Sequence, residues 1–266
     1  MLLKSNEPSM VRDQLCGIQL KTLRGTIRSI PDKDDNWYYH LSGQYKKVFD
    51  IVCNVGYTAL LTTIQKKVER LLLVDPNPEA LSWAARNLIL NNLGGCVNFM
   101  TYFVSDRTGE MIKFYSIGAD AAGSMFAGHA ESASAINQYY MVPTITIDDL
   151  VDQVGWIPEL IKLDVEGAES MALIGATELT KKRETIFFVE MHSSKELPII
   201  ENTANVLTWC QSTNYSAWYL KEKRILNDAQ EAAGYGKYHL LLQPEGFPFP
   251  GILQDMEVGA SLPDDL

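Results

Sequence analysis

Four cysteines in 266 residues, none close enough to another to make a CxxC pair, leave no zinc knuckle and no disulfide framework to read. Cys16, Cys53, Cys96 and Cys210 are expected to be reduced thiols of an intracellular protein. Positive charge is scarce as well: 23 Lys and Arg face 33 Asp and Glu, a formal net charge of −10. That field repels phosphate backbones, so no nucleic acid is expected as partner. No stretch approaches the roughly 18 consecutive apolar residues of a membrane span, and the opening "MLLKSNEPSM" has no apolar signal core. The expectation is a cytoplasmic protein without a membrane span, a homo-oligomer being left open.

What is present is an alternation of short apolar runs with helical patterns, the mark of βαβ units and a mostly parallel α/β sheet. The runs are "KVFDIV", "RLLLVD", "VNFMTYFVSD", "LIKLDV", "TIFFVEMH", "SAWYLK" and "KYHLLLQ". After the second run, Asn77 is a candidate N-cap, Pro78 stands at the first helical position, and Leu81, Ala84, Ala85 and Leu88 share one face. A second helix is expected after Gly56, with Leu60, Ile64 and Val68 at helical spacing. In residues 1–47, Val11, Leu15 and Ile18 suggest a helical extension packed on the core. Residues 48–245 form the expected main domain, and 246–266 a tail across the surface. The Gly-, Ala- and Ser-rich stretch from Tyr115 to Met141 is a candidate substrate-facing loop.

In an open α/β sheet, ligands bind at the carboxyl ends of the strands. Asp50 ends the first run, Asp75 the second, Ser105 and Asp106 the third, Asp164 the fourth, and Glu190 and His192 the fifth. One such acid is easily a helix cap, but several on one edge repel each other unless they meet hydrogen-bond donors or a cation. A sulfonium cofactor relieves that crowding better than a pyrophosphate. The Asp50-to-Asp75 separation suits a carboxylate gripping a ribose diol, which serves NAD and S-adenosylmethionine (SAM) equally. The GxGxxG spacing that NAD requires is missing from "DIVCNVGYT".

The segments "FDIVCNVGYTALL", "LLLVDPNPEALSWAARNLILNN", "SDRTGE", "TITIDDLV", "IKLDVEGAESMALIGA" and "IFFVEMH" together resemble the FkbM family of SAM-dependent methyltransferases. The resemblance covers roughly Val48 to His192 and implies a Rossmann-like class I fold, a seven-stranded mostly parallel sheet with helices on both faces. It implies that Asp50, Val52, Asn54, Gly56 and Tyr57 belong to the cofactor loop and that Asp75 meets the ribose. Pro76 and Asn77 would flank the adenine, with Ser105 and Asp106 near its amino group. Asp164, Glu190 and His192 are the implied catalytic residues, with Asp164 or His192 as the base for a hydroxyl acceptor. The acceptor implied is a small molecule, sugar or other natural product. The same three residues carry hard oxygens and an imidazole that suit Mg²⁺ or Mn²⁺, but their spacing is no recognised metal motif and none is expected.

One position departs from the family pattern. Where the family has glycine two residues after the first acid, this chain has Val52. If the backbone there has positive φ, a branched Cβ is excluded on steric grounds. If the strand continues through it, valine is at home and Asn54 with Gly56 makes the turn. The first case favours a protein that keeps the fold as a binding scaffold without turnover, the second an enzyme.

Overall fold

The computed structural model describes residues 8–119, 123–125, 134–193 and 197–264. Where a helical extension was expected, the chain instead forms an antiparallel hairpin of β1 (Met10–Leu15) and β2 (Ile18–Leu23). The spacing of Val11, Leu15 and Ile18 suits a helix, but the two-residue loop decides. Cys16 and Gly17 both take positive φ, 47° and 76°, the geometry whose twist matches a two-residue hairpin. Helix α1 (Asp35–Ser42) follows, burying Trp37, Tyr38 and Leu41.

The central layer is an 8-stranded sheet of order β12-β11-β13-β10-β9-β3-β4-β5. Its strands are β3 (Lys47–Ile51), β4 (Arg70–Val74), β5 (Val97–Met100), β9 (Leu160–Leu163), β10 (Ile186–Met191), β11 (Tyr215–Tyr219), the two-residue edge β12 (Arg224–Ile225) and β13 (Tyr238–Pro244). Strands β5, β4, β3, β9 and β10 are parallel, while β13 inserts antiparallel between β10 and β11. Leaving β12 aside, these are the strands expected of the class I fold. The run "VNFMTYFVSD" does not form one strand. Chain direction breaks at Thr101–Tyr102, and β6 (Phe103–Val104) joins β7 (Met111–Tyr115) and β8 (Tyr139–Ile145) in a separate 3-stranded sheet.

Helices cover both faces because strand residues alternate between them. Val48, Leu71 and Leu73 pack with α1, α2 (Tyr57–Ile64) and α3 (Pro78–Leu90). Phe49, Ile51, Leu72 and Val74 point the other way, toward α4 (Ile147–Val154), α5 (Glu169–Ile174), α6 (Thr177–Thr180) and α7 (Ile199–Thr213). Asn77 caps α3 as expected, its Oδ1 accepting from Glu79 N at 3.0 Å and Ala80 N at 3.3 Å. From the middle of α3, the fully buried Asn87 accepts from Leu23 N (2.8 Å) and donates to Thr26 Oγ1 (2.8 Å) and Val55 O (2.9 Å). One amide thus joins the hairpin, the segment after it and the loop between β3 and α2. The tail is anchored by Leu253, buried against the α1 side. No described helix is long and apolar enough to cross a membrane.

Candidate active site

Strand β3 stops at Ile51, and the next residues turn sharply through three left-handed positions: Val52 (φ 61°), Asn54 (φ 48°) and Gly56 (φ 87°). The strand does not continue through Val52. Its amide and that of Cys53 both donate to Val74 O, at 2.8 and 3.3 Å, so the neighbouring strand holds the bend. Gly56 is required twice over, since a Cβ there would lie 2.8 Å from the Cα and Cβ of Ala84 on α3. Asp75, just past β4, braces the turn: its carboxylate accepts from Asn54 N (2.7 Å) and Asn77 N (2.8 Å). Burial nevertheless pushes the Asp75 carboxyl up to about 7, against those two amides.

The loop is one wall of a cleft of about 270 Å³ at the carboxyl ends of the strands. Val52, Asn54, Tyr57, Asp75 and Asn77 line it, with Phe114 and Gly123 on one side and Arg28, Asp34 and Asp35 on another. Its floor holds Lys162, Asp164, Glu166 and Glu190. Lys162 is buried in the centre of the sheet, 3.2 Å from Asp164 Oδ2 and 3.8 Å from Asp50 Oδ1. Burial lowers its ammonium pKa, but the flanking carboxylates outweigh that and raise it. Asp164 is raised to about 6 by burial against the pull of Lys162, and its Oδ1 has no hydrogen-bond partner.

His192 sits behind these acids. Its Nδ1 lies 3.0 Å from Glu169 Oε1, and its Nε2 faces Glu166 (3.5 Å), Glu190 (3.6 Å) and Asp164 (3.8 Å). Glu169 is itself held by Gly167 N at 2.9 Å and Asn202 Nδ2 at 2.6 Å. Burial pushes the imidazole pKa down, yet these carboxylates raise it to about 11, so the ring is a cation at neutral pH. Burial also works against ionising Glu190, but His192 and His239 hold its carboxyl well below the usual range.

Sequence comparison decides what this cleft belongs to. The profile of the Methyltransferase FkbM domain matches residues 46–217, well over half of the chain. The chain belongs to the FkbM methyltransferase family. No curated protein matches the sequence. Among solved structures, the FkbM methyltransferase of Methylobacillus flagellatus KT is similar at 16% identity and TM-score 0.47, over 74% of this chain and 42% of that one. This chain thus spans about two fifths of that protein's length. A SAM-dependent methyltransferase from Agrobacterium tumefaciens gives 11% identity and TM-score 0.47, over 92% and 72%. The M. jannaschii protein TYW2 in complex with AdoMet gives 12% and 0.43, over 91% and 87%. Membership rests on the family profile, not on these distant likenesses.

SAM is the methyl donor of FkbM methyltransferases, and the residues present fit it. The cleft sets Arg28 and Lys162 against Asp32, Asp34, Asp35, Asp75, Asp164, Glu166 and Glu190, an excess of negative charge suited to a sulfonium and an ammonium. Buried Asn54 Oδ1 has no hydrogen-bond partner, leaving an acceptor free for the ammonium.

The structure sorts the expected site residues of this FkbM chain into two groups. Val52, Asn54, Tyr57, Asp75, Asn77, Asp164 and Glu190 line the cleft, and His192 stands directly behind them. Gly56 shapes the loop from beneath. Asp50 is fully buried under it, its Oδ2 accepting from Thr58 Oγ1 at 2.6 Å, and it does not line the cleft. Neither does Pro76. Ser105 and Asp106 follow β6 in the small sheet and lie outside the cleft lining, because the third run leaves the main sheet before reaching them. Of the Tyr115–Met141 stretch, Gly123 reaches the cleft, while residues 120–122 and 126–133 lie outside the described residues. The resemblance also sets Glu166 beside the methyl group, and Glu166 lines the cleft; sequence reasoning missed Lys162, Glu169, Arg28 and Asp34. Lys162 had a usable signal: a lysine inside the otherwise apolar "LIKL", where a charge is rarely buried without a partner.

Proposed function

We propose that the protein is a SAM-dependent O-methyltransferase acting on a hydroxyl of a small molecule or glycan. The observation that carries this reading is Asp164: a half-buried carboxylate at the end of β9 with one oxygen fixed by Lys162 and the other without a hydrogen-bond partner. A hydroxyl keeps its proton at neutral pH, so its oxygen becomes a competent nucleophile only if a positioned base takes that proton during transfer. Asp164 Oδ1 is the group free to do so. His192, the other candidate base, is already protonated and committed to Glu169, so it acts as a fixed positive charge that orients Asp164 and Glu190.

SAM supplies a methyl group activated by the positive charge on its sulfur. The chain's own contribution is alignment and exclusion of water, which by themselves lower such barriers by several kcal/mol. Asp75 and Asn77 stand where the ribose and adenine end would lie. The loop from Val52 to Tyr57 faces the methionine end, and Glu190 faces the acceptor side.

The test is calorimetric titration with SAM and with its demethylated product, followed by turnover of labelled SAM against a panel of hydroxylated acceptors. Asp164→Asn should retain SAM affinity and lose about 10²–10⁴-fold in kcat. Absence of binding heat at millimolar SAM, with no rise in thermal midpoint, refutes the enzyme reading. It would favour a scaffold without turnover, for which the strained Val52 is the supporting observation.

A further inference from the structure

A second cavity, of about 360 Å³, is lined by Asp34, Trp37, Tyr235, Lys237 and His239. Two of these, Asp34 and His239, meet Glu190, which lines the other cleft. Asp34 comes from the turn before α1, Glu190 from β10 and His239 from β13, and one ligand atom from each lies within 4.8 Å of the others. His239 Nε2 is 3.2 Å from Asp34 Oδ2 and 3.7 Å from Glu190 Oε2. An ion about 2.1 Å from each ligand needs ligand atoms about 3–3.6 Å apart, a spacing the two His239 contacts meet or nearly meet, while the two carboxylates lie within 4.8 Å of each other.

Two further observations bear on what this cluster can hold. His239 is only 8% exposed, and its Nε2, although 3.2 Å from Asp34 Oδ2, meets neither carboxylate in good hydrogen-bond geometry. Asp34 occupies the N-cap position of α1 but makes no side-chain cap bond, although Asp is among the best capping residues. Its carboxylate is turned instead toward His239. The geometry points to a divalent transition-metal site formed by Asp34, Glu190 and His239, with Zn²⁺ or Mn²⁺ as occupant. One imidazole with two carboxylates is a mixed set that suits Mn²⁺ or Zn²⁺ and is too hard for Cu(I). The cavity gives the ion a route in from solvent and leaves room for water to complete its shell.

Glu190 is the shared element. Its Oε2 faces His239, while its Oε1 is paired with Lys237, a half-exposed ammonium that can swing out. The ion would tie the segment before α1 to the sheet, fixing Asp34, which lines both cavities. This inference does not rest on methyl transfer, and a failed SAM titration leaves it intact.

The chain stripped of metal is titrated calorimetrically with ZnCl₂ and with MnCl₂, and the Mn²⁺ form is examined by electron paramagnetic resonance for nitrogen coupling. One ion per chain is expected, together with a raised thermal midpoint. Asp34→Asn and His239→Ala should each weaken binding at least about 10-fold, His239→Ala should erase the nitrogen coupling, and Lys237→Met should tighten binding by removing a competing charge. Asp34→Asn keeps its volume and changes only its charge, so it remains informative if His239→Ala does not fold. No stoichiometric binding to the unmodified chain overturns the proposal, as does binding that survives either ligand substitution in a folded variant.

Discussion

The left-handed valine is open to a direct test, because glycine and alanine respond to such a position with opposite signs. Val52→Ala and Val52→Gly both forfeit the same partly buried side chain, so their difference isolates the backbone. In an extended or helical position, Gly is worse than Ala by about 0.5–1 kcal/mol through the entropy of the unfolded chain. At φ 61° a Cβ costs about 1–2 kcal/mol, which Gly avoids and Ala does not. The two terms leave Val52→Gly more stable than Val52→Ala by about 0.5–1 kcal/mol. Valine itself bears the larger strain of its branched Cβ, of order 1–3 kcal/mol, against partial burial of a side chain whose full burial contributes about 1.5 kcal/mol. Val52→Gly is therefore expected within about 1 kcal/mol of the unmodified protein. Urea unfolding of the three proteins, with slopes checked for equality, reads these differences. A glycine variant less stable than the alanine variant refutes the left-handed assignment.

Gly56→Ala meets both a φ of 87° and the backbone of Ala84 at 2.8 Å, so a loss of about 2–4 kcal/mol is expected in thermal or urea unfolding, with SAM affinity falling alongside. Lys162→Met leaves Asp50 and Asp164 without their buried cation and should cost about 3–5 kcal/mol; a loss below about 1 kcal/mol in urea unfolding would show that the carboxylates are not held by that charge. For Asp75, the folded pKa of about 7 lies above the ordinary 3.8, so its ionisation opposes folding. That penalty is absent below about pH 4 and complete above about pH 7. Relative to the unmodified protein, Asp75→Asn should gain stability as pH rises through this window, and parallel stability curves from pH 4 to 8 would contradict the assignment.

The parts of the fold legible from sequence were those fixed locally. Asn77, Pro78 and the apolar face of α3 mark that helix by capping and spacing alone, and the acids at the ends of β4 and β9 follow from knowing where each apolar run stops. The N-terminal hairpin was misread because Val11, Leu15 and Ile18 satisfy helical spacing, while the turn at Cys16–Gly17 carries the deciding signal in only two residues. The split of "VNFMTYFVSD" between two sheets has no local mark, since both pieces are apolar and β-prone, and with it Ser105 and Asp106 move out of the cleft. Partnerships across the sheet were out of reach for a different reason. His239 meets Glu190 only because β13 inserts antiparallel beside β10, and Lys162 meets Asp50 only because β9 lies next to β3. Neither adjacency is written in residue order.

The amide of Asn87 gives the cleft a place in time. Its partners Leu23 and Thr26 lie 64 and 61 residues before it, and Val55 lies 32 before it. On a ribosome, the hairpin and the loop from Val52 to Gly56 both emerge before α3, and although Val74 and Asp75 already brace the loop, neither has the Asn87 amide until α3 has followed. Closing spans of that length is entropically slow compared with forming a single helix or turn. The turn is therefore expected to reach its final form only when α3 docks, joining the hairpin and the cleft in the same folding event.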